Sequence, residues 1–383
     1  MTRVLIFKFP FSSNYGGGEH HTITLVRELR NRGMQFHFVG SCRVLLREFQ
    51  KRGWSATRRW AGVEPVSIWS LALFPLTAIP VWFVLVATLV RMRVAGVRVL
   101  YCLSLTEKLL VPIPARLIGM RIVWVEHVAF DRWLTRNPFR FLYTLQSRFA
   151  TVVCPSRSLA DDAVRLGVPR TRVRVIPHGI DTAQFTVRAA RTDHRHFTVG
   201  CVARLEPEKG VEYLLMALRL VRDIVPTARL VVVGDGSLRA SLQQMVRTTD
   251  LDQTVQFVGF QRAIHRWYQT FDCFVLPSIR RESFGIVLLE SLASGVPVIT
   301  TSIGGTTEII RHETNGLVVP PRNAGALADA IIRLAQHPPE AEAFAVRGRA
   351  IVEAEYSEER MIQAWIVLLT GGPVSTLTLP DVA

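Results

Sequence analysis

The sequence predicts an α/β protein of two doubly wound, parallel-sheet domains. Short apolar runs at residues 4–7, 36–39, 97–103, 122–125 and 151–154, and again at 198–203, 229–233, 255–259 and 273–278, alternate with stretches of helical spacing. Glycine-rich turns join strand to helix at residues 10–18 and 234–236. A chain of 383 residues is long enough for two domains, each with an ample core.

Bulk properties narrow the class. The five cysteines (42, 102, 154, 201 and 273) are odd in number, scattered and mostly set in apolar strands. No metal or redox spacing links them, which reads as reduced core thiols of a cytosolic compartment. The Met-Thr-Arg-Val-Leu-Ile-Phe start reads as a first strand rather than a signal peptide, since no cleavage site follows. Residues 1–185 carry 26 Lys+Arg against 10 Asp+Glu, a net +16, whereas residues 186–383 carry 20 against 21. All the excess charge lies in the first half, which points to an anionic partner there, a membrane surface or nucleic acid. No aromatic-basic motif or recognition helix accompanies the charge, so the expectation is no nucleic acid.

In chain order, residues 4–7 form the first strand and residues 10–18 a loop rich in Gly and Ser. Residues 19–32 follow as a helix with Ile23, Leu25, Val26 and Leu29 on its apolar face, ended by Gly33. Gly16-Gly17-Gly18 between strand and helix lets backbone approach a phosphate, although a plain turn has the same composition. Residues 66–90 hold no charge and are long enough to span a bilayer. Pro75 and Pro80 argue against one regular spanning helix. The expected form is a bent apolar hairpin or helix dipping into one leaflet between Arg58-Arg59 and Arg91, Arg93 and Arg98. A buried core helix is the plainer alternative. The strand at 122–125 delivers Glu126 and His127 to its carboxyl end, where open α/β sheets bind ligands. A structural histidine fits that place too. Residues 151–158 close the domain as strand and helix cap, and His178-Gly179-Ile180-Asp181 reads as an interdomain turn.

The second half opens at residues 198–203 with a strand followed by Arg204 and Lys209. Two cations five residues apart, past a strand end, suit a diphosphate: a fork and a point charge. Gly234-Asp235-Gly236 fits nucleotide contact and a tight turn equally well. Residues 273–278 read as a buried strand, 284–294 as a helix and 296–300 as the next strand. Glu282 then sits in a loop at a strand's carboxyl end and Glu290 on the helix. Eight residues along a helix span roughly 12 Å, about a nucleoside-diphosphate-sugar from sugar to ribose. The amides of Phe284, Gly285 and Ile286 lie between the two carboxylates at a helix N-terminus, where a diphosphate is favoured. Two solvated glutamates are the alternative on spacing alone.

Glu282-x7-Glu290 with Phe284-Gly285 after the first Glu, then Gly295-Val296-Pro297-Val298, Gly304-Gly305-Thr306-Thr307-Glu308 and Asn315-Gly316-Leu317-Val318-Val319-Pro320, resembles the large class of retaining glycosyltransferases with the two-domain GT-B fold. The resemblance covers nearly the whole chain and is densest over residues 172–335. It also takes in Arg204-x4-Lys209-Gly210, with Ala203 where many relatives have Gly. It implies two Rossmann-like domains facing a cleft that is complete only on closure. The boundaries expected are 1–181 for the acceptor-side domain, 182–196 for a linker, and 197–355 for the nucleotide-sugar domain. Residues 356–370 would form a helix crossing back, and 371–383 a tail. The resemblance assigns the diphosphate to Arg204 and Lys209, sugar hydroxyls to Glu282, the ribose diol to Glu290 and the donor sugar to His127. The Gly16-Gly17 turn would face the donor phosphate, and Gly234 and the amides of Phe284, Gly285 and Ile286 complete the donor site. A nucleotide-diphosphate sugar is then the donor, and the acceptor a lipid-linked or envelope glycan. The expected location is the cytoplasm, peripheral on the inner face of the membrane. No cofactor or metal is expected, since cations and amides meet the leaving-group charge and no Asp-x-Asp motif that would hold Mg²⁺ on the diphosphate is visible. A nucleotide-sugar epimerase on the same fold, or a basic membrane- or nucleic-acid-binding protein without catalysis, are the alternative classes.

Overall fold

The computed structural model describes residues 2–10, 16–60, 62, 64–187, 195–280 and 282–372. Parts of the predicted glycine loop (11–15), linker (188–194) and tail (373–383), and Arg281, lie outside the described residues. The chain divides into two units: residues 2–177 with 361–372, and residues 178–360.

Among the described residues, the first unit builds a parallel sheet from β1 (Arg3–Lys8), β2 (Gln35–Gly40), β3 (Ala56–Arg58), β4 (Val99–Cys102), β5 (Arg121–Val125), β6 (Thr151–Cys154) and β7 (Val173–Val175). Their order is β3-β2-β1-β4-β5-β6-β7. Strand side chains alternate between faces, and both faces are covered. Leu5 and Phe7 of β1 enter one core with Trp124 and Leu100. Val4 and Ile6 enter another with Leu29, Phe38 and Trp365. Trp365 comes from the helix Glu358–Thr370, whose Met361, Ile362 and Leu369 join that core. The sheet is thus doubly wound, as predicted, and its near-continuous apolar strands follow from burial on both sides. The short edge strand β3 was not predicted, because Ala56-Thr57-Arg58, followed by Arg59, carries no apolar run.

The second unit repeats the plan with β8 (Phe197–Val202), β9 (Ala228–Val233), β10 (Val255–Gly259), β11 (Cys273–Leu276), β12 (Val298–Thr301) and β13 (Gly316–Val319), in the order β10-β9-β8-β11-β12-β13. Leu230 and Val232 face one core and Val231 and Val233 the other. The helix Pro338–Glu355 belongs to this unit, where Gly348 lies so close to Leu292 that a Cβ would stand 2.4 Å from its Cδ2. Of the two late helices, only the last, which falls in the expected 356–370 stretch, joins the first unit.

Of the hairpin or helix expected over residues 66–90, the structure has the helix and not the hairpin. Ile68–Val94 is a single 27-residue helix with Pro75 and Pro80 inside it. Ser67 caps it: its Oγ accepts from Ser70 N, and Ser70 Oγ accepts from Ser67 N at 2.8 Å. An interior proline costs about 3 kcal/mol. Phe74, Val81, Leu85 and Leu89 are buried along most of its length in the sheet's core, and that packing offsets the cost.

Candidate functional site

In each unit the strand order reverses once, between β1 and β4 and between β8 and β11. Ligands of open α/β sheets bind outside the carboxyl ends of strands at such a switch point. In the second unit the loop after β8 brings Arg204 and Lys209 to that place, and the loop after β11 brings Ser278 and Glu282. Lys209 Nζ lies 2.5 Å from Glu282 Oε2, and Ser278 Oγ donates to the same oxygen at 3.1 Å. Both side chains of the ion pair are largely buried.

Glycines bring these loops together. Gly210, at φ +62°, starts the helix Val211–Ile224, and a Cβ there would stand 2.3 Å from Pro277 O. Gly304, at φ +59°, would place a Cβ 2.1 Å from Glu282 O, while Gly305 N donates to that carbonyl at 2.9 Å. The Gly304-Gly305 pair thus clamps the backbone of Glu282. Asn315, fully buried, accepts from Arg311 N and donates to Ile309 O, so its part in the motif is a loop cap.

Arg204 stands apart from the Lys209–Glu282 pair. Its side chain is 62% exposed, and its guanidinium donates to Glu208 Oε1 at 3.1 Å. Gly234 has a packing reason: at φ +137° its Cβ would stand 1.9 Å from Ala203 O. Glu206 joins the same two loops by accepting from Ser237 N and Oγ.

The helix carrying Glu290 runs Ile286–Ala293, with Gly285 as its cap at φ +88°. It starts later than predicted, so only the second half of the Glu282–Glu290 interval is helical and a helix length does not measure it. Phe284 is core: its ring meets His178 edge-on at 5.1 Å, leaving its amide as the group it can offer. Glu290 Oε2 accepts from Tyr268 OH at 2.8 Å. Burial pushes the Glu290 carboxyl up to about 7, against the pull of that hydrogen bond. Tyr268 was missed because it lies in the four-residue helix His265–Tyr268, far from any motif.

In the first unit, β1 ends at Lys8, which is ion-paired with Glu19 in the first turn of the helix Gly17–Asn31. That turn packs on His127: a Cβ at Gly18 would stand 3.1 Å from the imidazole Cδ2, and the His21 ring lies 5.2 Å away, edge-on. The structure therefore brings the glycine turn and His127 together, through Gly18 rather than Gly16 or Gly17. Behind His127 is a buried ionic network that sequence reading missed. Lys108 Nζ donates to Glu126 Oε1 at 2.7 Å and to Val125 O at 2.9 Å, and Tyr143 OH donates to the same carboxylate oxygen at 2.9 Å. Nothing in the spacing of Lys108, Glu126 and Tyr143 signals their meeting. Among the described residues no group of three His, Cys, Asp or Glu side chains is placed to hold a metal ion.

Comparison with known proteins bears on both units. Residues 184–351 match the family model described as Glycosyl transferases group 1, and residues 15–184 match Glycosyltransferase Family 4. The chain is 32% identical over 212 residues to an uncharacterized glycosyltransferase of Methanocaldococcus jannaschii, covering 52% of this chain and 53% of that protein. It is 34% identical over 217 residues to the GDP-mannose-dependent monoacylated alpha-(1-6)-phosphatidylinositol monomannoside mannosyltransferase of Corynebacterium glutamicum, covering 52% of this chain and 56% of that one. The chain thus spans about half the length of these curated relatives. Among solved structures it is similar to Anabaena HepE in complex with UDP, at TM-score 0.81 and 20% identity, covering 97% of this chain and 100% of that one. That likeness is one of fold.

Proposed function

The chain belongs to the group 1 glycosyltransferases of the GT-B class, and on that premise we propose that it moves a sugar, with retention of configuration, from a nucleotide-diphosphate sugar to a lipid-linked or envelope-glycan acceptor. The observation that carries this reading is the Lys209–Glu282 pair at the β8/β11 switch point. A lysine there meets diphosphate charge, and a carboxylate there orients sugar hydroxyls. The solved HepE structures contain UDP and UDP-glucose, which supports a nucleotide-sugar donor. The phosphatidylinositol and lipopolysaccharide-core mannosyltransferases among the relatives support a lipid-linked or envelope acceptor.

On this reading Lys209, with Arg204 swung from Glu208, binds the diphosphate. Glu290 takes the ribose diol, and His127 the sugar at its reacting centre. The C1–phosphate oxygen bond breaks as the acceptor oxygen bonds to C1 on the same face. The acceptor's hydroxyl proton passes to the departing phosphate oxygen, and the leaving-group charge is met by cations and by the amides at Gly285 and Ile286. No metal takes part, and the reaction runs on the cytoplasmic side of the membrane.

The test is a panel of UDP-, GDP- and other nucleotide-sugars read by thermal stabilisation and by slow donor hydrolysis. One nucleotide class should raise Tm and be hydrolysed, and Glu282→Gln should keep the first effect while losing the second. A panel in which nothing binds removes the transferase reading.

A further inference from the structure

The helix Ile68–Val94 is apolar on both sides, and the fold covers only one of them. Phe74, Val81, Leu85 and Leu89 are buried in the core. Roughly opposite on the helical wheel, Trp69, Leu73, Leu76, Ile79, Phe83 and Val90 are exposed, Trp69 by 82% and Leu76 by 75%. At about 1.5 Å per residue this ridge is on the order of 30 Å long. Single exposed apolar side chains need no explanation, but a continuous ridge marks an interaction surface. Leu117 and Phe141 are also exposed, on other helices of the same unit.

Charge selects the partner. Arg58 and Arg59 precede the helix, Arg91 and Arg98 lie at its far end, and Arg116 is beside Leu117; all are exposed. The acidic side of the balance is thin, 10 Asp+Glu against 26 Lys+Arg over residues 1–185. Against a second copy of the same face, these arginines would meet arginines. Against anionic headgroups they are complementary. Among the described residues this is the one helix long and apolar enough to cross a bilayer. Crossing would require Phe74, Val81, Leu85 and Leu89 to leave the core they help to form.

We propose that this exposed ridge lies flat in the interface of an anionic bilayer, Trp69 to Val90 immersed among acyl chains and the flanking arginines among headgroups. The lipid surface is thus a binding partner of the first unit. The proposal goes beyond the transferase reading and does not depend on it: lipid binding needs neither donor nor Lys209. It deepens that reading in one respect, since it brings the protein to a lipid-linked acceptor.

Flotation of the full chain with phosphatidylcholine vesicles, with and without phosphatidylglycerol, tests it. The expected result is flotation with the anionic vesicles, little with neutral ones, and weakening in high salt. Arg91→Gln with Arg98→Gln should weaken binding roughly 25-fold, at about fivefold per basic residue near the surface. Leu76→Asp with Phe83→Asp should abolish flotation while circular dichroism and Tm stay unchanged, since both side chains face solvent in the free protein. Alkaline carbonate should strip the bound wild-type protein from vesicles. Retention after carbonate would mean a spanning helix and overturn the in-plane anchor. Flotation unchanged in the Asp variant would overturn the ridge as the contact. A lipid-free dimer dissolved by Leu76→Asp would replace the bilayer with a second copy. Loss of flotation with donor-induced stabilisation intact would fail this proposal and leave the transferase reading standing.

Discussion

Lys209 Nζ and Glu282 Oε2 stand 2.5 Å apart at the carboxyl ends of adjacent strands β8 and β11, 73 residues apart in sequence. Removing either partner leaves the other largely buried and uncompensated. A hydrogen bond to a charged group contributes about 1.5–3 kcal/mol. Glu282→Ala should therefore lower kcat by roughly ten- to a hundredfold or more. Lys209→Ala should also raise the donor KM, because the diphosphate loses its cation. Arg204→Ala should raise donor KM more than Arg280→Ala does. Steady-state kinetics with saturating acceptor decide it, and a wild-type rate for Glu282→Ala removes the carboxylate from the mechanism.

In each unit the strand-end position of the candidate residues was legible, because buried parallel strands are the plainest signal in the sequence. Glu282, Lys209 and His127 all follow apolar runs, so their placement came with the strands. The side chains that hold them were not legible. Tyr268 reaches Glu290, and Lys108 and Tyr143 reach Glu126, through tertiary packing, and no local spacing encodes that. Motif position suggested a phosphate fork at Arg204, but not its pairing with Glu208, four residues on. Sequence left a hairpin and a helix both open over residues 66–90, because whether Pro75 and Pro80 interrupt the helix depends on the sheet that braces it.

The second prediction is a pH dependence. Burial raises the Glu290 carboxyl from 4.5 to about 7. The folded protein holds this proton more tightly than the unfolded chain, so the group's contribution to stability is full below 4.5 and is lost as pH rises toward 7. Donor binding runs the other way, since a ribose diol donates best to the ionised carboxylate. Donor KM should rise as pH falls below about 7, and donor-induced stabilisation should grow above it. Tyr268→Phe removes the hydrogen bond that pulls the proton off and should move the midpoint upward. Glu290→Gln should make donor KM flat with pH. A wild-type profile equally flat between pH 6 and pH 8 would refute the assignment.

The third prediction concerns metals. If Lys209, Arg204 and the Gly285–Ile286 amides meet the leaving-group charge, turnover should persist in EDTA and be unaffected by added Mg²⁺ or Mn²⁺. Chelation that abolishes activity, with rescue by either ion, would show that the cations alone are insufficient.

The last prediction concerns the network beneath His127. Lys108 and Glu126 are almost fully buried and joined at 2.7 Å, with Tyr143 on the same carboxylate oxygen. Breaking a buried pair by removing one partner leaves a charge without compensation, at a cost of about 3–5 kcal/mol. Lys108→Met should therefore lower stability by that order in urea denaturation. Replacing both ions, Lys108→Met with Glu126→Leu, removes the stranded charge and should recover part of the loss. It does not recover the fixed end of β5, because Lys108 also donates to Val125 O two residues before His127. The double variant should thus be more stable than Lys108→Met yet still reduced in kcat. A double variant with wild-type kcat would show that the network supports the fold and does nothing to position His127.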